Sequence, residues 1–392
     1  MEEIYSDLAG ELERLQVQHL FRELKSVTGV LTEWVEMQGK RLLNLSSNNY
    51  LGIAAHPSLK TAAIKAVQEL GCSATSARLI VGNYELYDQV EKDLSRFKDT
   101  EAALIFNTGY MANVGIITAL AGRRDIIISD KANHASIIDG VRLSGAEFLR
   151  YKHVDMGDLE RCLKKTDGYR RKLIITDSVF SMDGDLAPLP AIVEMKEKYG
   201  AVLMIDEAHG DGIFGENGRG LAEYYGLMDR VEINMGTFGK AFGCSGAYVA
   251  GRKVLIDYLR NKARSFIFTT GLPPVVVASV QAALQVVKQE NWRSKEVLVK
   301  AAWVRAELTK AGFNLLNSES QIIPILVGDN APTLEFSKRL FDVNILAMAV
   351  RPPTVPLKAA RLRLTVMATH SNEELAWATE QIKQIGRDFA II

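Results

Sequence analysis

Thr237-Phe238-Gly239-Lys240-Ala241-Phe242-Gly243 sets one lysine among glycines and small residues, directly after the apolar run Val231-Glu232-Ile233-Asn234-Met235. Upstream, Ala201-Val202-Leu203-Met204-Ile205-Asp206-Glu207-Ala208-His209-Gly210 is a second apolar run, ending in an acid and a histidine. Each reads as a buried strand with its polar residues just past the end. Working outward, short apolar runs recur at 102–106, 126–129, 148–151, 173–176, 202–206, 233–235 and 247–250, with helix-like spacers between them. This alternation predicts an α/β domain with a mostly parallel sheet. The chemistry-bearing residues fall just beyond the runs, where an open α/β sheet places its ligand crevice.

The flanks read differently. Leu12, Leu15, Leu20 and Leu24, spaced among charges, predict an amphipathic helix over 5–28. From about residue 255 long amphipathic segments take over, including 294–310, followed by strands at 321–327 and 361–366 and a helix at 372–385. The expected division is an N-terminal helix and arm over 1–45, a large domain over 46–285 and a smaller C-terminal α+β domain over 286–392.

A chain of 392 residues can bury a large core. Lys+Arg and Asp+Glu both count 47, so no global field recruits nucleic acid or an anionic membrane. Cys72, Cys162 and Cys244 are too few and too scattered for a disulfide framework or a zinc site, and are expected as reduced, mostly buried thiols. The acidic start Met1-Glu2-Glu3-Ile4-Tyr5-Ser6-Asp7 has no signal-like apolar stretch, and no run is long enough for a membrane span. A cytoplasmic protein is expected.

A lysine on a bare loop after a buried strand can lose solvent, lower its pKa and attack a carbonyl as a free amine. A carboxylate at a strand end is costly unless something pairs with it. Together Lys240 and Asp206 suit pyridoxal 5'-phosphate (PLP), which needs a lysine for its Schiff base and an acid for its pyridinium nitrogen. Asp206 alone could equally cap a helix. His209, three residues on, could donate to the phenolic oxygen of that cofactor.

Asn107-Thr108-Gly109-Tyr110-Met111-Ala112-Asn113 follows a run and opens a helix, whose free N–H groups suit a phosphate. Thr237 could add a hydroxyl. In Asp130-Lys131-Ala132-Asn133-His134-Ala135-Ser136, His134 could stack on a cofactor ring, although a helix-capping segment explains the same letters. Ser181, in Asp177-Ser178-Val179-Phe180-Ser181-Met182-Asp183-Gly184-Asp185, could hydrogen-bond a cofactor oxygen. Arg363, in Ala360-Arg361-Leu362-Arg363-Leu364-Thr365, alternates with apolar neighbours and so points inward. An inward arginine needs a carboxylate, from an amino-acid substrate or from the protein itself.

With these residues in hand, the chain resembles the α-oxoamine synthases, PLP enzymes of aminotransferase fold type I, from about residue 20 to its end. The resemblance rests on Asn44-Leu45-Ser46-Ser47-Asn48-Asn49-Tyr50-Leu51-Gly52, Phe180-Ser181-Met182-Asp183-Gly184, Asp206-Glu207-Ala208-His209-Gly210, Thr237-Phe238-Gly239-Lys240 and Arg351-Pro352-Pro353-Thr354-Val355-Pro356, in this order and spacing. It implies a mostly parallel seven-stranded sheet in the large domain. It also implies condensation of a small amino acid with an acyl-CoA, releasing CO2 and CoA and leaving an amino ketone.

Carried onto this chain, the resemblance gives Lys240 the Schiff base and the Cα proton, Asp206 the pyridinium nitrogen, and His209 and Ser181 the phenolic oxygen. His134 stacks on the ring. Gly109 and Tyr110 bind phosphate through N–H groups, and Thr237 adds its hydroxyl. Asn49 and Arg363 hold the amino-acid carboxylate, Arg22 belongs to the acyl-CoA site, and Thr354 is a further substrate-binding residue. The family's active site lies at a homodimer interface. There Thr270, in Phe268-Thr269-Thr270-Gly271-Leu272-Pro273-Pro274, is the phosphate contact given to the other subunit.

Within the family, Asp206-Glu207-Ala208-His209-Gly210 and Arg351-Pro352-Pro353-Thr354-Val355-Pro356 most resemble the branch that uses L-alanine and a pimeloyl thioester, on CoA or a carrier protein, and the resemblance implies those substrates. Glycine with acetyl-CoA and serine with a long acyl-CoA stay open. The chain departs from the family pattern in the glycine-poor stretch Gly71-Cys72-Ser73-Ala74-Thr75-Ser76-Ala77-Arg78. It departs again at Tyr87, where histidine is common, and at Asp177, where glutamate is.

Overall fold

The structure is a computed structural model that describes residues 2–392. The chain forms two compact units. One comprises Asn48–Ser181 and Asp185–Glu296, the other the segments up to Ser47, Met182–Gly184 and Val297–Ile392.

The first unit is built on seven strands: β1 (Ala102–Phe106), β2 (Ile126–Asp130), β3 (Glu147–Tyr151), β4 (Lys172–Asp177), β5 (Val202–Asp206), β6 (Ile233–Thr237) and β7 (Ala247–Gly251). Their order across the sheet is β1-β7-β6-β5-β4-β2-β3. Neighbours pair in parallel except β7, which runs antiparallel to both β1 and β6. The mostly parallel seven-stranded sheet matches the expectation, and the runs read from the sequence sit within two residues of the strand ends.

A parallel sheet covered on both faces calls for strands that are apolar throughout rather than alternating. Ile126, Ile127 and Ile128 of β2 and Leu203, Met204 and Ile205 of β5 are accordingly all buried, whereas edge strand β3 is half exposed. Leu104, Ile116, Ile127, Ile175, Met204 and Val249 share one core cluster. Burying each such side chain stabilises by about 1.5–3 kcal/mol.

Two helices begin where strands end. Helix α1 (Gly109–Leu120) follows β1, and its cap Thr108 accepts the Met111 N–H through Oγ1 at 3.1 Å. Helix α2 (Ala135–Ser144) follows β2, and its cap His134 accepts the Ser136 N–H through Nδ1 at 3.3 Å. A capping role and a place at the strand ends thus coexist in His134.

In the second unit, strands Trp34–Met37 and Lys40–Asn44 form a hairpin. Its two turn residues, Gln38 and Gly39, both take positive φ (52° and 75°), the handedness that matches the twist of the strands. Strands Ile322–Gly328, Ala360–Thr365 and Met348–Val350 make a second sheet. Helix Asn372–Asp388 starts with a capping box between Ser371 and Glu374. The strands from Ile322 onward and this helix fall in the C-terminal stretch read as α+β, whereas the hairpin falls in the stretch read as an N-terminal helix and arm.

Three expectations are corrected. The N-terminal helix is Glu2–Val17 rather than 5–28. His19 turns left-handed (φ 56°), and the N–H groups of Leu20 and Phe21 fold back onto the Leu15 carbonyl at 2.8 and 3.1 Å, which closes the helix end. Leu20 and Leu24 therefore lie in irregular chain. Cys72 is exposed on the loop after helix Pro57–Leu70, so the thiols are not uniformly buried. Finally, alternation does not sort Arg361 from Arg363, because strand Ala360–Thr365 is buried on both faces. Arg361 pairs with Asp183. Among the described residues no helix is long and apolar enough to cross a membrane.

Candidate active site

The loops after β1, β2, β4, β5 and β6 converge on a cavity of about 340 Å³. Asn107, Thr108, Gly109 and Tyr110 line it from the first loop, and His134 and Ser136 from the second. Asp177, Val179 and Ser181 come from the third, Asp206, Ala208 and His209 from the fourth, and Thr237, Gly239 and Lys240 from the fifth. Ser245 and Gly246, just before β7, complete the wall with Asn48. Gly246 is there for its backbone: φ is 105°, and a methyl group would meet Leu272 at 2.9 Å.

Lys240 stands on the cavity wall. Its Nζ lies 2.9 Å from Nε2 of His209. The other ring nitrogen, Nδ1, lies 2.7 Å from the hydroxyl of Tyr50. That hydroxyl donates to Oδ1 of Asn48 at 3.0 Å, which leaves its lone pair for an Nδ1–H. His209 in this tautomer presents Nε2 to the lysine as an acceptor. A line of hydrogen bonds thus runs from Lys240 through His209 and Tyr50 to Asn48.

Asp206, at the end of β5, is buried and its charge is matched twice. Oδ2 accepts from Nδ2 of Asn113 at 2.8 Å, and Oδ1 accepts the Ala208 N–H at 2.9 Å. A buried carboxylate with two donors is held in one orientation. Burial pulls the His134 imidazole below its ordinary value, Asp206 opposes that and Lys240 adds to it, so His134 is a neutral ring on the cavity wall.

Behind the lysine loop, Lys98 is wholly buried. It donates to Oδ1 of Asp211 at 2.8 Å and to the Arg219 carbonyl at 2.5 Å. Tyr248 of β7 donates to the other Asp211 oxygen at 2.5 Å. This buried network pins the turn after β5 against β7.

A PLP-sized group fits the residues present. Thr237 Oγ1 is buried and has no hydrogen-bond partner among the described residues. Gly109 opens α1 opposite it, and a side chain there would meet Thr237 Cγ2 at 2.7 Å. A bare helix N-terminus beside a hydroxyl in want of a partner suits a phosphate.

The structure therefore gathers Lys240, Asp206, His209, His134, Ser181, Thr237, Gly109 and Tyr110 around one cavity. Asn49 is buried with Oδ1 accepting the Ala54 N–H at 3.2 Å, and its neighbour Asn48 is the one on the cavity wall. Thr270 is exposed, pairs with Ala77, and accepts from Asn107 Nδ2 at 2.7 Å through its carbonyl. In the second unit, Arg22 donates to the Pro352 carbonyl at 2.9 Å. There Thr354 is exposed, and Arg363 is buried in strand Ala360–Thr365.

Sequence reasoning missed Asn113, Tyr50, Asn48 and Asp177 as site residues. Asn113 had a signal, a polar residue one turn into an otherwise apolar helix. Tyr50 and Asn48 had none beyond their place in the Asn44–Gly52 stretch.

Residues 40–382 match the family described as aminotransferase class I and II. The chain is 49% identical over 387 residues to an 8-amino-7-oxononanoate synthase of Geobacter sulfurreducens, covering 98% of this chain and 99% of that one. It is 48% identical over 382 residues to a putative 8-amino-7-oxononanoate synthase of Bacillus cereus, covering 97% of each. Among solved structures, a serine palmitoyltransferase from S. paucimobilis with bound PLP–myriocin superposes with a TM-score of 0.94 at 29% identity, covering 100% of this chain and 99% of that one.

Proposed function

The chain belongs to the aminotransferase class I and II family, and from its site we propose that it joins L-alanine to a pimeloyl thioester, on CoA or a carrier protein. The products are 8-amino-7-oxononanoate, CO2 and the free thiol, a step of biotin biosynthesis. At the coarser level the chain is a PLP-dependent enzyme of the acyltransferase type, like the 8-amino-7-oxononanoate synthases it matches. The observation that carries the reading is Lys240 at 2.9 Å from His209 in one cavity with the doubly bonded carboxylate of Asp206.

Bound PLP supplies an electron sink that stabilises negative charge on the substrate Cα. The residues divide the remaining work. Gly109, Tyr110 and Thr237 hold the phosphate, with Thr270 serving the same role in the other subunit of a homodimer. Asp206, held by its two donors, would meet the ring nitrogen, and His134 would cover the ring. His209 and Ser181 hold the phenolic oxygen. Lys240 removes the Cα proton and later returns one, with Nε2 of His209 positioned to take part in that transfer. Asn49 and Arg363 are assigned the amino-acid carboxylate, Arg22 the acyl substrate, and Thr354 substrate binding. We place the enzyme in the cytoplasm.

A second reading, serine with a long acyl-CoA, draws on the TM-score of 0.94 to the serine palmitoyltransferase. The higher identity to the 8-amino-7-oxononanoate synthases favours alanine. Turnover of alanine, glycine and serine against pimeloyl, acetyl and palmitoyl thioesters, with mass detection of products, tests the proposal. Alanine with the pimeloyl thioester should be fastest. Much faster turnover of glycine with acetyl-CoA, or of serine with palmitoyl-CoA, would overturn it. Borohydride reduction of the PLP-loaded enzyme followed by peptide mapping should label Lys240, and a label on another lysine would remove its role.

A further inference from the structure

Strands β4 and β5 end side by side, and Asp177 and Asp206 are direct partners in the parallel ladder. Ladder partners stand about 4.8 Å apart and send their side chains to the same face. Both residues are buried and both line the cavity. Yet they are held unequally. Asp206 has two donors, Asn113 Nδ2 and the Ala208 N–H, at 2.8 and 2.9 Å. Asp177 has the His134 N–H on Oδ2 at a long 3.2 Å. Its Oδ1 is shut off from solvent, and among the described residues no donor reaches it.

Carboxylates on adjacent ladder positions in one buried cavity disfavour each other's charge, and a proton goes preferentially to the one with fewer donors. The charged groups bearing on Asp177 are Asp206 and Asp130, which disfavour its anion, and Lys240, which favours it. His134 is neutral and adds no charge. Burial is the largest influence and, with the neighbouring acids, holds the Asp177 carboxyl well above the usual carboxylate range.

We propose that Asp177 carries a proton in the working enzyme, so that the cavity holds one carboxylate, Asp206, and one carboxylic acid whose Oδ1 offers a hydrogen bond to an oxygen of the bound cofactor or substrate. The neutral acid leaves Asp206 as the single anion for the cofactor's ring nitrogen. It also gives the orphaned oxygen a use, since a buried hydroxyl with no acceptor of its own is a donor in waiting. The inference rests on the reading of this cavity as a PLP site.

Carbon-13 NMR of protein labelled at its aspartate carboxyls, with D177N identifying the resonance, reads the protonation directly. The Asp177 signal should have the carboxylic-acid shift at neutral pH, with and without PLP. D177A should lose about tenfold or more in kcat/KM, and D177N, which retains a neutral donor, should recover most of that loss. A carboxylate shift for Asp177 would overturn the inference, and so would a D177N loss as deep as that of D206N. If D177N does not fold, the carboxylic C=O stretch of the unaltered protein and its shift on deuteration decide instead. A carboxylate signal in protein that binds PLP would remove the inference and leave the cofactor reading intact. Failure to bind PLP would remove that reading, while the Asp177 signal still decides the protonation.

Discussion

At the scale of single residues, the site turns on how each charge is matched. Asp206 lies between two donors with its anion satisfied. Removing that charge removes what would keep the ring nitrogen protonated. Asp206→Asn should therefore cut kcat by about a thousandfold or more, roughly 4 kcal/mol in the barrier, with little effect on folding. Steady-state kinetics beside a thermal melt checks this, and near-parental kcat would refute the role. Tyr50 works through His209, since its hydroxyl fixes which ring nitrogen faces Lys240. Tyr50→Phe frees the imidazole to change tautomer, so kcat should fall about tenfold and the pH profile of kcat should shift, with the KM for alanine nearly unchanged. A rise in KM alone would mark Tyr50 as a binding residue instead.

At the scale of elements, the loops past the strand ends are held by polar struts. His153 bridges Asp130, at the end of β2, to Asp185, at 2.9 and 2.8 Å, with Phe180 edge-on against its ring. Burial pulls its pKa down, but the hydrogen bonds to the two acids outweigh that and raise it from 6.5 to about 10. A raised histidine contributes stability in full below its unfolded pKa and loses it as pH rises through the folded one. The stability gap between the protein and its His153→Gln variant should thus be widest below about pH 6.5 and should close toward pH 10. Urea unfolding across that window measures it, and a gap that stays constant would show that the strut is uncharged.

At the scale of the whole molecule, Thr270 is exposed and held in place by its pairing with Ala77 and by Asn107. We expect a homodimer in which each subunit lends Thr270 to the phosphate of the other. Light scattering should give twice the 43.3 kDa chain mass. Thr270→Ala should weaken PLP binding roughly tenfold through one lost hydrogen bond to a charged group. A fully active monomer would refute the arrangement.

The sequence by itself determined the sheet, because strands buried on both faces must be apolar throughout, and such runs between helical spacers can be read without coordinates. It also singled out Lys240, Asp206, His209 and His134, since costly polar residues directly after apolar runs have few places to be but a crevice at the strand ends. Tertiary structure alone decided where the first helix stops, because His19 leaves the helical region although the leucine spacing continues. It alone decided that Arg361 and Arg363 are both buried, since a strand covered on two faces hides every residue whatever the alternation. It alone brought Asn113 to Asp206, Tyr50 to His209 and Asp177 beside Asp206. Those pairings join residues far apart in the chain, and hydrogen-bond geometry and strand register exist only once the sheet has formed.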